Sequence, residues 1–75
     1  MEHLTISLKA ARVNARLKAT DVAHHFGVTK QTILNWEAGK TVPDHDVALK
    51  MAELYKIDIK HIFFGKSITL SNTND

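Results

Sequence analysis

Gly27 restricts the fold of this chain more than any other residue, because it stands between two short runs with helical periodicity. From about Ala19 to Phe26, the residues Val22, Ala23 and Phe26 share one face. A glycine after such a run accepts the left-handed backbone that stops a helix, a conformation that a side chain resists. Thr29 then serves as the N-cap of a second helix, which turns Ile33 and Trp36 inward and ends before Gly39. Ala23 is small enough to let the two helices approach closely, Val28 plugs the turn, and Ile33 anchors the second helix. This spacing dictates a short helix, a tight turn and a second helix crossing the first steeply.

The flanking segments read as further helices. A first helix runs from Thr5 or Ser7, either of which can cap, to Leu17, with Leu8, Ala11, Arg12 and Ala15 on one face. Pro43 bars helix continuation, and Asp44 caps a fourth helix, with His45 and Asp46 in its first turn. It runs to about Lys56 and buries Ala48, Met51, Ala52 and Tyr55. Asp58 caps a short fifth helix through Phe63 or Phe64, stopped by Gly65. No segment alternates as a strand with a hairpin signal, so the expected class is all-α, a compact five-helix bundle over residues 1–65. Residues 66–75 are polar apart from Ile68 to Leu70, and read as a tail or a strand that pairs with a partner.

Composition narrows the function classes. Seventy-five residues make one small domain, too short to house a large substrate cleft beside its own core, and 44% hydrophobic residues suffice for that core. The absence of cysteine removes disulfides and thiolate metal sites and suits a reducing cytoplasm. No apolar run approaches the roughly 18 residues of a membrane span. The net charge is only +2, but residues 1–43 carry six Lys and Arg against three acids, while residues 44–75 carry four Lys against five. The positive excess therefore coincides with the two-helix motif. Of the five histidines, His24 and His25 are adjacent and diverge on a helix, while His3, His45 and His61 are scattered, so no metal set is expected. No nucleophile with its base and no Gly-rich phosphate loop is present, and neither an enzyme nor a cofactor is expected.

The outer face of the third helix presents Lys30, Gln31, Leu34 and Asn35. Gln and Asn amides match adenine N6 and N7, a Lys ammonium matches guanine O6 or N7, and Leu34 can meet a thymine methyl. The segment Ala10-Ala11-Arg12-Val13-Asn14, the span from Val22-Ala23 through Gly27-Val28, and the run from Thr32 to Lys40 with Pro43 extend the pattern. With the ending Ile57-Asp58-Ile59 to Ile62-Phe63, they resemble the Cro/CI-type helix-turn-helix family, also called the xenobiotic-response-element family, of phage repressors and bacterial regulators. The resemblance covers about Leu4 to Phe64.

It implies a lambda-repressor-like domain whose recognition helix, residues 30–36, enters the DNA major groove. Lys30, Gln31 and Asn35, with Leu34, fall at base-reading positions, and Lys18, Thr29, Thr32, Trp36, Lys40 and Thr41 lie nearer the DNA backbone. Free amides at the start of the second helix and near Gly39 add phosphate contacts. Arg12 and Glu37 match a pair that links the first helix to the end of the third. Many relatives place a Ser or Thr cap followed by Gln where this chain has Lys18 and Ala19, which shifts sequence choice toward the third helix. The implied partner is double-stranded DNA with a palindromic operator, bound by a homodimer that packs Ile59, Ile62, Phe63, Phe64 and Ile68 to Leu70 against a second copy. A protein-interaction module on the same fold requires an apolar outer face on the third helix; Lys30, Gln31 and Asn35 weigh against it and Leu34 leaves it open.

Overall fold

The computed structural model describes residues 5–64, most of them in four α-helices. The Ser7 hydroxyl accepts the Ala10 amide hydrogen bond at 2.9 Å and starts α1, Leu8–Asn14. Lys18, in extended backbone, precedes α2, Ala19–Phe26. Thr29 caps α3, Lys30–Ala38, through a 3.1 Å bond from the Thr32 amide to its hydroxyl oxygen. Asp44 caps α4, His45–Tyr55, by accepting from the Val47 amide at 3.0 Å.

All four helices close in the same way. Arg16, Gly27, Gly39 and Lys56 take φ of 64°, 68°, 78° and 59°. The residue after each donates its amide back five residues, Leu17 to Arg12, Val28 to Ala23, Lys40 to Asn35 and Ile57 to Ala52, at 3.0–3.2 Å. This is the Schellman closure, which satisfies carbonyls that the helix leaves open. Two of the four left-handed positions are filled by basic residues rather than glycine, and that is why α1 ends at Asn14 rather than at the expected Leu17. Arg16 turns the chain, and Leu17 folds back against the core.

The expected fifth helix is absent, and the fold is not all-α. Asp58 caps only a 3₁₀ turn, Ile59–His61, accepting from the Lys60 amide at 3.1 Å. The chain then extends as β2, Ile62–Phe63, which pairs in parallel with β1, Ile6–Ser7, in the register Ile6 to Ile62 and Ser7 to Phe63. The segment is too short to nucleate a helix alone, and its Ile and Phe side chains suit extended backbone. Pairing with the chain start supplies backbone partners that a single helical turn would lack. Gly65 and Ile68 to Leu70 lie outside the described residues.

The core draws one wholly buried side chain from each helix: Leu8, Val22, Ile33 and Met51. Ala11, Ala19, Ala23, Ala52, Tyr55 and Ile62 complete it, and the small alanines permit close packing of the helices. Phe26 and Trp36, expected inward, are half-buried and pack on its rim. Ile62 lies in this core at 6% exposure, so it cannot belong to a surface shared with a second copy. No helix among the described residues is long and apolar enough to cross a membrane.

Candidate nucleic-acid interface

Helix α3 is held from both ends and from beneath. Ile33 plugs it into the core with no exposed surface, while Leu34 and Trp36 pack half-buried against the core rim. At its start the Thr29 and Thr32 hydroxyls lie 2.9 Å apart in a hydrogen bond, so both side chains are already engaged in the cap. At its end the carbonyl of Asn35 accepts the amides of Gly39 and Lys40. The amides near Gly39 expected to meet phosphates are therefore consumed in closing the helix, and the loop offers the side chains of Lys40 and Thr41, both exposed.

The outward face carries Lys30 and Gln31, both exposed, and Asn35, half-buried. The Gln31 Nε2 donates to Asn35 Oδ1 at 3.0 Å, so the two amides form one unit rather than two separate readers. Leu34 is turned toward the core rim and presents only part of its surface. Lys30 and Leu34, Gln31 and Leu34, and Gln31 and Asn35 stand three or four residues apart, so each of these pairs meets on the helix surface.

At the start of α2 the exposed Lys18 keeps its side chain free of a capping bond, but its amide donates to the Asp21 carboxylate at 2.8 Å. One of the amides expected to receive a phosphate is thereby occupied, and a carboxylate stands on that turn. The Lys18 side chain places a cation on the same turn as that carboxylate.

Arg12 and Glu37 form a bidentate pair, Nε to Oε2 at 2.6 Å and Nη2 to Oε1 at 3.2 Å, with side chains 10% and 5% exposed. Arg12 Nη1 also donates to the carbonyl of Leu17 at 3.0 Å. One guanidinium thus ties α1, the turn into α2 and the last turns of α3, fixing α3 relative to the helices behind it. The hydrogen bond from Glu37 raises the Arg12 pKa above its ordinary value, against the opposing effect of burial. Beneath the pair the Tyr55 hydroxyl is buried with no hydrogen-bond partner among the described residues. Burial, then the charge of Glu37, push its pKa up to about 12, with Arg12 pulling the other way.

His24 and His25 are both exposed on α2, the latter edge-on to Phe26 with ring centroids 4.9 Å apart. Among the described residues no three His, Asp or Glu side chains gather as metal ligands. Sequence reasoning placed the outer face of α3 but missed the Gln31–Asn35 bond, although the i, i+4 spacing of two amides was a signal for it. It also missed the Arg12 bond to Leu17, which depends on the left-handed turn at Arg16, and the solitary Tyr55 hydroxyl, which depends on contacts between distant segments.

A short helix, a left-handed glycine turn and a rigidly seated second helix with a polar outer face define a helix-turn-helix domain. A family model described as helix-turn-helix matches residues 8–62, and the chain belongs to this family, in its Cro/CI type. It is also 38% identical, over 56 residues, to an uncharacterised helix-turn-helix transcriptional regulator of Methanocaldococcus jannaschii, an alignment covering 75% of this chain and 85% of that protein. No solved structure matches the chain significantly.

Proposed function

We propose that this protein is a sequence-specific DNA-binding transcriptional regulator that lays α3 in the major groove, acting as a phage- or mobile-element-type repressor in the cytoplasm. The observation that carries this reading is the polar stripe of Lys30, Gln31 and Asn35 on a helix whose opposite face is locked into the core. Family membership and the regulator relative support it. Lys30 meets guanine and the joined amide pair of Gln31 and Asn35 addresses adenine, with the partly exposed edge of Leu34 near a thymine methyl. Thr29, Thr32 and Trp36 border the DNA backbone, and Lys18, Lys40 and Thr41 flank it as phosphate contacts.

A single chain of this size presents one recognition helix, so a homodimer on a palindromic operator is part of the proposal. The expected surface loses the buried Ile62 and keeps Phe63 together with Ile59 and Phe64, which line one groove with the exposed Val42, while Ile68 to Leu70 lie outside the described residues. Val42 and Phe63 are 45% and 47% exposed.

Binding of the full chain to duplex DNA, measured against salt concentration, tests the reading. Affinity falls steeply with salt, and Lys40→Ala weakens all sequences alike with a shallower slope. A salt-independent affinity, or no duplex bound above background, overturns it.

A further inference from the structure

We propose that Gln31 is a positioning residue rather than an independent reader, and that it orients the Asn35 amide to select adenine at one base pair. The inference rests on the reading of α3 as the recognition helix and deepens it. A solvent-exposed asparagine can rotate its amide by half a turn and present donor and acceptor in either order. Here that freedom is restricted. The backbone at Asn35 is pinned because its carbonyl accepts the amides of Gly39 and Lys40. Its side chain is pinned because Oδ1 accepts from Gln31 Nε2 at 3.0 Å. Rotating the Asn35 amide alone would bring its Nδ2 hydrogens against those of Gln31, two donors facing each other, so it can turn only if Gln31 turns with it.

The fixed amide keeps one lone pair on Oδ1 and both hydrogens on Nδ2 for DNA. Those groups fit the N6 hydrogen and the N7 acceptor of adenine in a single order. Guanine offers two acceptors, N7 and O6, and its O6 would face Oδ1, so the same arrangement rejects it. Gln31 contributes by holding the amide in place before DNA arrives, so less freedom is lost on binding. Both partners lie on the outer face of the helix, and neither is needed for the core.

The test begins with a random-sequence duplex library bound by the full chain, from which the preferred duplex is recovered. The base pair at which Asn35→Ala relaxes selection is then changed from A·T to G·C, and the ratio of affinities is read for each variant. The expected result is that Gln31→Ala lowers the A-over-G ratio about tenfold at that same base pair. Gln31→Glu, which keeps the shape but can only accept, draws Nδ2 toward itself and lowers the ratio as well. The double variant Gln31→Ala with Asn35→Ala loses no more than Asn35→Ala alone. In the free protein, Gln31→Ala moves the side-chain amide signals of Asn35 in the nitrogen-15 spectrum while the melting temperature stays unchanged.

Relaxation at a different base pair, or losses that add in the double variant, overturns the coupling and leaves α3 as a recognition helix with two independent readers. If neither position alters selection while Lys40→Ala still weakens all binding, base reading by this face fails and the coupling fails with it.

Discussion

Four of the described residues carry left-handed backbone, and each ends a helix. At Gly27 a methyl group would meet nothing within 4 Å, so the demand for glycine there comes from φ of +68° alone and not from a close neighbour. Gly27→Ala is therefore expected to destabilise by about 1 kcal/mol, the conformational cost of a left-handed non-glycine residue. A thermal or urea melt reads it, and a loss of several kcal/mol would mean that the turn is also tightly packed. Tyr55 shows the converse situation, a buried hydroxyl with nothing to bind among the described residues. Tyr55→Phe at neutral pH should leave stability unchanged within about 0.5 kcal/mol or raise it, since no bond is lost. The pH dependence has a definite sign. The phenol is neutral when folded, with its pKa pushed up to about 12, whereas the unfolded chain releases that proton near the ordinary value of 10. Unfolding is thus favoured progressively as pH rises from 10 to 12, and Tyr55→Phe removes that part of the alkaline loss. Equal alkaline slopes in both proteins would contradict it.

At the element scale the starts of α3 and α4 were legible from their caps, and that of α1 to a choice between Thr5 and Ser7, because caps are local chemistry. Ser7, Thr29, Asp44 and Asp58 all accept the amide bonds expected of them. Helix ends were less so. Gly27 and Gly39 announce themselves, but Arg16 and Lys56 do the same work without a glycine, and α1 accordingly stops at Asn14. The largest correction is the replacement of a fifth helix by the 3₁₀ turn and β2. Two residues of strand carry no readable alternation, and the partner of β2 lies at the other end of the chain. The assignment has a direct consequence in stability. Ile62 points into the core and Phe63 away from it, so Ile62→Ala should cost about 2–4 kcal/mol while Phe63→Ala costs under about 1 kcal/mol. Equal costs at the two positions would contradict the extended pairing.

At the scale of the whole molecule, Arg12 joins three segments and seats α3 on the rest of the domain. Glu37→Ala leaves that guanidinium without its carboxylate in a largely buried position, and about 3 kcal/mol of stability should be lost. The accompanying loosening of α3 should weaken discrimination among DNA sequences more than it weakens contact with phosphates. The proposed dimer is a second property of the whole. Analytical sedimentation of the chain with a palindromic duplex should give two chains per duplex, and Phe63→Lys should reduce this to one. One chain per duplex in the unaltered protein would remove the dimer from the proposal.

The sequence by itself determined the spacing of Ala23, Gly27, Val28 and Ile33, the helix caps and the polar stripe on α3. These depend on residues within one or two turns of each other, where backbone preference and side-chain chemistry act locally. Only the folded structure decided that Ile6–Ser7 and Ile62–Phe63 pair as strands, that the amides after α3 are spent on its closure, and that Gln31 and Asn35 share a bond. It also decided that Tyr55 lies unpartnered beneath Arg12 and Glu37. The strand pairing and the placement of Tyr55 join segments far apart in the chain, while the closure of α3 and the bond between Gln31 and Asn35 are local choices among several open to those groups. Periodicity cannot register such choices, because they are made when the helices pack and each polar group takes the partner left within reach.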